Sequence, residues 1–552
     1  MQQQTLSTKS TDKQLLPTSL QYIATQLEQR KNPTTSEMRT IISEAKVVAD
    51  DLSPWADFDH PVTDSYGRKL VYKGANFEIM VMSWRPGDFS TLHDHGHTQW
   101  GAVQLFGPAE HATFLQVGDQ IVTSSREIFK SGDIVEVCHS LIHQMGNPTS
   151  DKFFLTLHVY GYTEAIDNVT GDARIFDLEK GVIHRVDGGV FFGLPESQWK
   201  RTEPGPQGDF PTRLRHYIEL IRRVRKMRPE ERAARNLNLE AIISEFQSAD
   251  QWSSLRKFLL ENSDEKGHFT NSFNWRLLQY ELKEAAKLQN ELANEQKTAD
   301  HFHQYASLYD AVICGPALYD FMARYLFFFA EKYQPDFTEK SMISLGCGTG
   351  LVEQHIIDEL EMPYENLFGL DISPSMVAEA GKRIQAEVGD VLTLDPSVRM
   401  WDIAYSGLNV FQYLGHKRLE EAIQKTAAIV KPGGYFLGDF ITPDHIRWYP
   451  NVLFSNDEQV VSLRTPELAE EDGSVFQKSD IINMRFQKGQ MRVTYAGKHK
   501  RFLPPVNRVR AYFEKAFGGK VELYDAISLK AIAPEDDTCA STRYIVVAQK
   551  KS

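Results

Sequence analysis

The chain has 552 residues, too many for a single hydrophobic core, so several domains are expected. Its 61 basic and 74 acidic side chains leave a formal charge of −13, which argues against general nucleic-acid binding. Four scattered cysteines, at 138, 314, 347 and 539, form no zinc or redox pair and fit a reducing, cytoplasmic setting.

The opening stretch, Met1 to Gln14, is polar and lacks a signal peptide's apolar run. The longest apolar cluster, near Tyr325 to Ala330, is too short to span a bilayer. Next in chain order comes Arg85-Pro86-Gly87-Asp88-Phe89-Ser90-Thr91-Leu92-His93-Asp94-His95. A turn at Pro86-Gly87 predicts a following strand, on which His93 and His95 share a face. A third histidine, His143, closes the stretch from Gly132 to Asn147. The expected ligands are these three histidines as neutral imidazoles, with Gln99 and Trp100 rather than an acid following the pair. Imidazole suits iron, zinc, copper and nickel. His97, His111 and His139 read as surface residues or residues behind the ligands, and Cys138 as a packed turn residue.

This spacing of His93, His95, Gly132, His143 and Asn147 resembles the cupin signature, a small β-barrel with its metal inside. Tyr66-Gly67-Arg68-Lys69-Leu70-Val71 and Thr156-Leu157-His158-Val159-Tyr160 extend the resemblance to cysteine dioxygenase, a cupin iron enzyme that oxidises a thiol to a sulfinate. The helical stretch Leu20 to Leu52 resembles that family's helices before the barrel. The resemblance implies Fe(II) on His93, His95 and His143, with dioxygen as co-substrate. It also implies Arg68 clamping a substrate carboxylate and a relay of Thr156, His158 and Tyr160. Animal members crosslink the tyrosine to a nearby cysteine. Gly96-His97-Thr98-Gln99-Trp100-Gly101 contains none, and Trp100 is expected in that place, reshaping the pocket. Cysteine is the expected thiol, with mercaptopropionate-like thiols or carbon–sulfur cleavage open, and a non-catalytic sensing role as the alternative.

Pro204-Gly205-Pro206-Gln207-Gly208 marks the predicted exit from the barrel. Arg213 to Val224 has helical apolar spacing with a basic face, expected to be solvated, to pack between domains or to meet an acidic partner. The stretch to about residue 299 reads as a helical connector.

Lys340 to Leu345 reads as a buried strand followed by Gly346-Cys347-Gly348-Thr349-Gly350 and a helix from Leu351 to Leu360. Glycines there let backbone approach a ligand, and the helix N-terminus favours its carboxylate. Asp371 ends a second strand where an acid would grip ribose hydroxyls. Asp390-Val391 ends a third segment, Trp401 to Ser406 is a fourth strand, and Lys431-Pro432-Gly433-Gly434 precedes a fifth. The series resembles class I S-adenosylmethionine-dependent methyltransferases. That resemblance implies the cofactor on Gly346, Gly348, Gly350, Asp371, Asp390 and Val391. Tyr305 to Asp310 resembles an aromatic lid over the cofactor, with helix packing as the other reading. A late hairpin around Ile482–Phe486 and Met491–Tyr495 is expected to form a substrate cap, with Arg447, Trp448 and Tyr449 as candidate acceptor contacts.

The expected architecture is therefore multidomain. An all-β cupin barrel with preceding helices covers residues 15–203, a helical connector 204–299, and an α/β Rossmann-like methyltransferase 300–550. The expected function is oxidation of a small thiol plus methylation of a related small molecule, acting on thiol or amino-acid substrates with no nucleic acid and no membrane.

Overall fold

The computed structural model describes residues 16–30, 32–192, 194–293, 302–312 and 316–552. The polar start and Cys314 lie outside them. The chain divides into two compact units, residues 1–246 and 247–552. Among the described residues no helix is long and apolar enough to cross a membrane.

In the first unit, helices Thr18–Gln29, Thr35–Ala45 and Ala49–Leu52 precede the barrel. The second starts at a reciprocal cap. Thr34 Oγ1 accepts the Glu37 amide at 3.2 Å, and the Glu37 carboxylate accepts the Thr34 amide at 2.7 Å. Apolar residues Leu20, Ile23, Leu27, Met38 and Ile41 are buried in one cluster with Leu155, Leu157 and Val159 of the strand Phe154–Gly161. That strand is buried on both faces, so it shows no polar alternation. Its opposite face presents Thr156, His158 and Tyr160 to the barrel interior, because side chains alternate along a strand.

Phe154–Gly161 lies in the middle of an antiparallel five-stranded sheet of Gly67–Lys73, Phe77–Trp84, Phe154–Gly161, Trp100–Leu105 and Ile134–Cys138, in that order. A four-stranded sheet includes Ala109–Val117 beside Ile142–Gly146, which carries His143. Three further strands, Ala173–Asp177, Val182–Val186 and Trp199–Pro204, form a third sheet.

The helix Phe210–Lys226, capped by Asp209, also belongs to this unit. Two arginines of its basic face are turned into the unit rather than solvated. Arg215 reaches Glu110 at 2.8 Å and Arg223 reaches Asp88 at 3.0 Å, and all four side chains are buried. The barrel supplies the buried carboxylates that such buried guanidinium groups require. The stretch expected as a connector is thus shared. Helices to Phe246 lie in the first unit, and Ala249–Glu261 and Ser272–Ala293 lie in the second.

The second unit is built on a seven-stranded sheet ordered Gln385–Val388, Leu367–Asp371, Met342–Leu345, Trp401–Ser406, Val430–Ile441, Arg543–Lys550, Gly518–Asp525. The first five strands are parallel, and Arg543–Lys550 runs antiparallel between its two neighbours. Chain order reverses at Met342–Leu345, and such a switch point opens a crevice at the carboxyl ends of the strands. The expected hairpin is part of a larger antiparallel sheet, Val452–Phe454, Val460–Glu471, Ser474–Gln487 and Gln490–Phe502.

Candidate functional site

Two sites lie one in each unit. In the barrel, His93, His95 and His143 offer ring nitrogens that all lie within 4.8 Å of one another. The segment carrying His93 and His95 is not a regular strand. It is held by isolated bridges, with His93 and His143 exchanging backbone hydrogen bonds at 3.0 and 2.9 Å. Asp94 is turned away between them, its carboxylate accepting the Arg174 amide at 2.7 Å.

The ring nitrogens divide into held and free. His93 Nδ1 lies 2.8 Å from the Thr91 carbonyl, which only accepts, so Nδ1 carries the proton and Nε2 the lone pair. His143 Nδ1 meets His111 Nε2 at 2.8 Å, leaving His143 Nε2 3.2 Å from His93 Nε2. His95 is buried with neither ring nitrogen hydrogen-bonded. Burial lowers His93 to about 4 and holds His95 and His143 well below the ordinary histidine range, so all three stay neutral. Converging lone pairs and an unpartnered buried imidazole are what a metal ion would satisfy. The donor set fits a divalent transition ion.

Beside this cage runs a hydrogen-bonded chain. Trp84 Nε1 donates to Thr156 Oγ1 at 2.9 Å, Thr156 Oγ1 meets His158 Nε2 at 2.7 Å, and His158 Nδ1 meets Tyr160 OH at 2.7 Å. Its direction follows from chemistry. An indole N–H can only donate, so the Thr156 hydroxyl accepts from Trp84, and among the described residues its own proton has only His158 Nε2 as acceptor. His158 Nδ1–H then donates to the Tyr160 oxygen, and the phenol's proton is left to point into the cavity. Burial keeps that phenol protonated and lowers His158 to about 3. The Tyr160 ring lies 5.0 Å from that of His95.

Arg68, half-buried on Gly67–Lys73, donates to Thr170 Oγ1 at 3.1 Å. Among the described residues it pairs with no carboxylate, and its charge acts on both His158 and Tyr160.

Two expectations are corrected. Trp100 does not reshape the pocket. It packs on the helix side of the sheet with Leu157 and Val159, against Gly161. The residue opposite Tyr160 is Gly101, where an added Cβ would lie 2.8 Å from the tyrosine ring. Cys138 is exposed rather than packed. His111 proves to be the buried partner behind His143, whereas His139 is exposed. Trp84 was missed as a site residue. Its place across from the relay strand, where Phe77–Trp84 pairs with Phe154–Gly161, is the signal that could have found it.

In the second unit a cavity of about 400 Å³ opens at the switch point. One end is lined by Gly346, Gly348, Asp371, Asp390 and Val391. Gly346, Gly348 and Gly350 all have left-handed backbone, with φ of 77°, 56° and 74°. At Gly346 a Cβ would lie 2.3 Å from Val410, so only glycine fits. Asp371 accepts the Gly348 amide at 2.9 Å, tying the loop to the second strand. Asp390 accepts the Leu392 amide at 3.0 Å and meets Arg418 at 2.9 Å. Gly350 sits at the N-terminus of helix Leu351–Glu359 rather than on the cavity wall.

Phe302 and Tyr309 line the cavity, whereas the Tyr305 side chain lies outside the described residues. Asp310 pairs with Arg383 at 2.7 Å. Of the candidate acceptor contacts only Tyr449 faces the cavity, and Arg447 and Trp448 are exposed. The far end also holds Arg464, Arg501, Arg543 and His445, which no motif announced.

Residues 3–164 match the family model described as cysteine dioxygenase type I, and residues 343–434 match a methyltransferase domain. The chain thus carries matches to two enzyme-family models, one in each unit. The dioxygenase match spans the helices, Arg68, His93, His95, His143 and the relay, and the methyltransferase match spans Gly346 to Val391. Similar solved structures include an S-adenosylmethionine-dependent methyltransferase from Clostridium acetobutylicum ATCC 824, 15% identical with a TM-score of 0.36. It covers 46% of this chain and 99% of that one. The sugar N-methyltransferase KedS8 from Streptoalloteichus sp ATCC 53650 is 15% identical with a TM-score of 0.35, covering 47% and 96%. The CcbJ methyltransferase from Streptomyces caelestis is 15% identical with a TM-score of 0.35, covering 47% and 100%.

Proposed function

We propose that the chain is a bifunctional enzyme that oxidises a small thiol in its first unit and methylates a related small molecule in its second. In this reading the dioxygenase-type barrel spans residues 15–203 and the methyltransferase domain residues 300–550. The observation that carries the oxidative half is the buried His95, hydrogen-bonded through neither nitrogen, facing two imidazole lone pairs beside the donor chain that ends on Tyr160.

His93, His95 and His143 would hold Fe(II). Bound iron would provide the redox centre at which dioxygen meets a sulfur anion, the sulfur itself giving up the electrons that take a thiolate to a sulfinate. The protein's own residues do the rest. Arg68 would pair with the carboxylate of cysteine or a similar thiol acid, fixing its sulfur toward the histidines through a fork that lysine cannot reproduce. Tyr160 would present its hydroxyl proton to the reacting oxygen or sulfur. His158, Thr156 and Trp84 hold that proton's direction, and the buried walls exclude water.

In the methyltransferase half, Asp371 would accept the ribose hydroxyls of S-adenosylmethionine, and Asp390 with Val391 would border its adenine. The loop Gly346–Gly350 would leave room for its amino-acid end. Methyl transfer then depends on aligning the acceptor with the sulfonium methyl more than on a strong base. Fusion of the two fits consecutive steps on one sulfur-containing metabolite.

The test supplies purified protein with Fe(II), oxygen, a panel of thiols and methyl-labelled S-adenosylmethionine. Mass spectrometry then identifies what gains oxygen and what gains label. Oxygen uptake with no thiol in the panel would defeat the oxidative half, and label in no small molecule would defeat the other.

A further inference from the structure

The far end of the methyltransferase cavity is an unusual place to put charge. Arg464, Arg501 and Arg543 all line it, and guanidinium groups stay charged. Arg543 is neutralised from beneath by the buried carboxylate of Asp439. Arg501 is not. Among the described residues it has no carboxylate partner, and its hydrogen bonds go to the phenols of Tyr413, at 2.6 Å, and Tyr449 and to Gln477 Oε1 at 3.2 Å. Its Nε is buried with no acceptor at all.

Arg464, itself buried, donates to Ser462 Oγ at 3.1 Å and lies 5.4 Å from the ring of Tyr449. Tyr449 joins the two arginines. Burial alone would raise its phenol, but Arg501 and Arg464 bring it below the ordinary value. The imidazoles add no counter-charge. Burial, followed by Arg543 and Arg501, lowers His445 to about 3, and His499 hydrogen-bonds Tyr495 OH at 2.9 Å. The acids of the cavity wall are engaged elsewhere, Asp371 by the Gly348 amide and Asp390 by Arg418.

Arg501 is half-buried, and its buried, vacant Nε–H is costly unless something anionic completes it. We propose that this end of the cavity binds the acid group of the methyl acceptor, a carboxylate or a sulfur oxyanion, through Arg501 and Arg464. The proposal rests on reading the cavity as a methyltransferase site and narrows its substrate to small acids. An acid group held there sets the acceptor's other end toward the cofactor end of the same cavity. It also keeps cationic amines without an acid group from settling in that orientation, because they would meet the arginines. Tyr449 and Tyr413 would orient the two guanidinium groups by hydrogen bond and ring contact.

The test uses the full chain loaded with S-adenosylhomocysteine. Calorimetry measures binding of cysteine sulfinate, cysteate, hypotaurine and aspartate against acetamide and cysteamine, neither of which carries an acid group. At least one acid should bind, and the uncharged and cationic compounds should not. Arg501→Gln should weaken that acid about 10- to 100-fold, as loss of a buried charge-assisted contact does, while S-adenosylhomocysteine affinity is unchanged. Arg501→Lys should recover part of the loss, which separates lost charge from lost folding, and Arg464→Gln should act in the same direction. If no acid binds the loaded protein, or if cysteamine binds and the acids do not, the proposal is overturned. It is equally overturned if Arg501→Gln weakens S-adenosylhomocysteine and leaves the acid untouched, since the arginine then serves the cofactor's own carboxylate. Failure of the parent chain to bind S-adenosylhomocysteine would instead strike the underlying methyltransferase reading.

Discussion

Replacing Thr156 with valine preserves shape and removes one hydroxyl from the donor chain. Trp84 and Thr156 are essentially inaccessible to water and His158 nearly so, so no solvent replaces the missing oxygen. The indole N–H and His158 Nε2 each lose their partner. An unsatisfied buried polar group costs about 1–3 kcal/mol, so the two together should destabilise the first unit by about 2–6 kcal/mol. The chemical effect is separate. Without a donor at Nε2, nothing keeps the proton on His158 Nδ1, and the Tyr160 proton is no longer sent into the cavity. A preference of only about 1.4 kcal/mol between the two tautomers already means a tenfold loss of the competent form. Thr156→Val should therefore oxidise thiol at least about tenfold more slowly with iron binding retained, and Thr156→Ser should restore both rate and stability. The assay pairs urea unfolding with oxygen uptake at matched iron content. A folded, iron-loaded Thr156→Val protein working at the parent's rate would refute the relay's direction as argued.

Three further outcomes are expected. His95→Ala should abolish stoichiometric binding of Fe(II) or Co(II), followed by absorption spectroscopy, while S-adenosylhomocysteine binding stays intact; retained metal would remove His95 from the cage. Asp371→Ala loses a ribose acceptor and the support of the Gly348 amide, so calorimetry should show S-adenosylhomocysteine affinity falling about 100-fold or more, with metal binding unchanged. The third concerns Glu353, whose buried carboxyl is pushed up from 4.5 to about 7 by burial. A raised folded value means its contribution is fully present below about 4.5 and is lost as pH rises through about 7, at about 1.4 kcal/mol per pH unit. Glu353→Gln should flatten that slope and stabilise the second unit at pH 8. Urea midpoints at pH 5 and pH 8 check it, and an unaltered slope would assign the pH dependence elsewhere.

Much of both sites could be read in the amino-acid order, because each motif is local. His93 and His95 are two apart, the relay occupies alternate positions on one strand, and Gly346 to Gly350 is a single turn. The face of Trp100 could not be read that way. Parity carries along a strand but not through the turn at Gly96-His97, so nothing local distinguishes Trp100 from Gly101 as the neighbour of Tyr160. The helix Phe210–Lys226 misled for a different reason. Its basic face looks solvated until Asp88 and Glu110, more than a hundred residues earlier, arrive beneath it. Arg464, Arg501 and Arg543 reach one cavity from three separate strands, with no spacing that could announce them.

The bare Cα of Gly101 has an effect on how this enzyme comes into being. With hydrogen alone across from its ring edge, Tyr160 meets no thiol at this position to become tethered to, so the phenol is finished as soon as the polypeptide folds. Freshly made protein should run at full speed from its first turnovers, and peptide mapping of Tyr160 should find a single unmodified species however long the enzyme has worked.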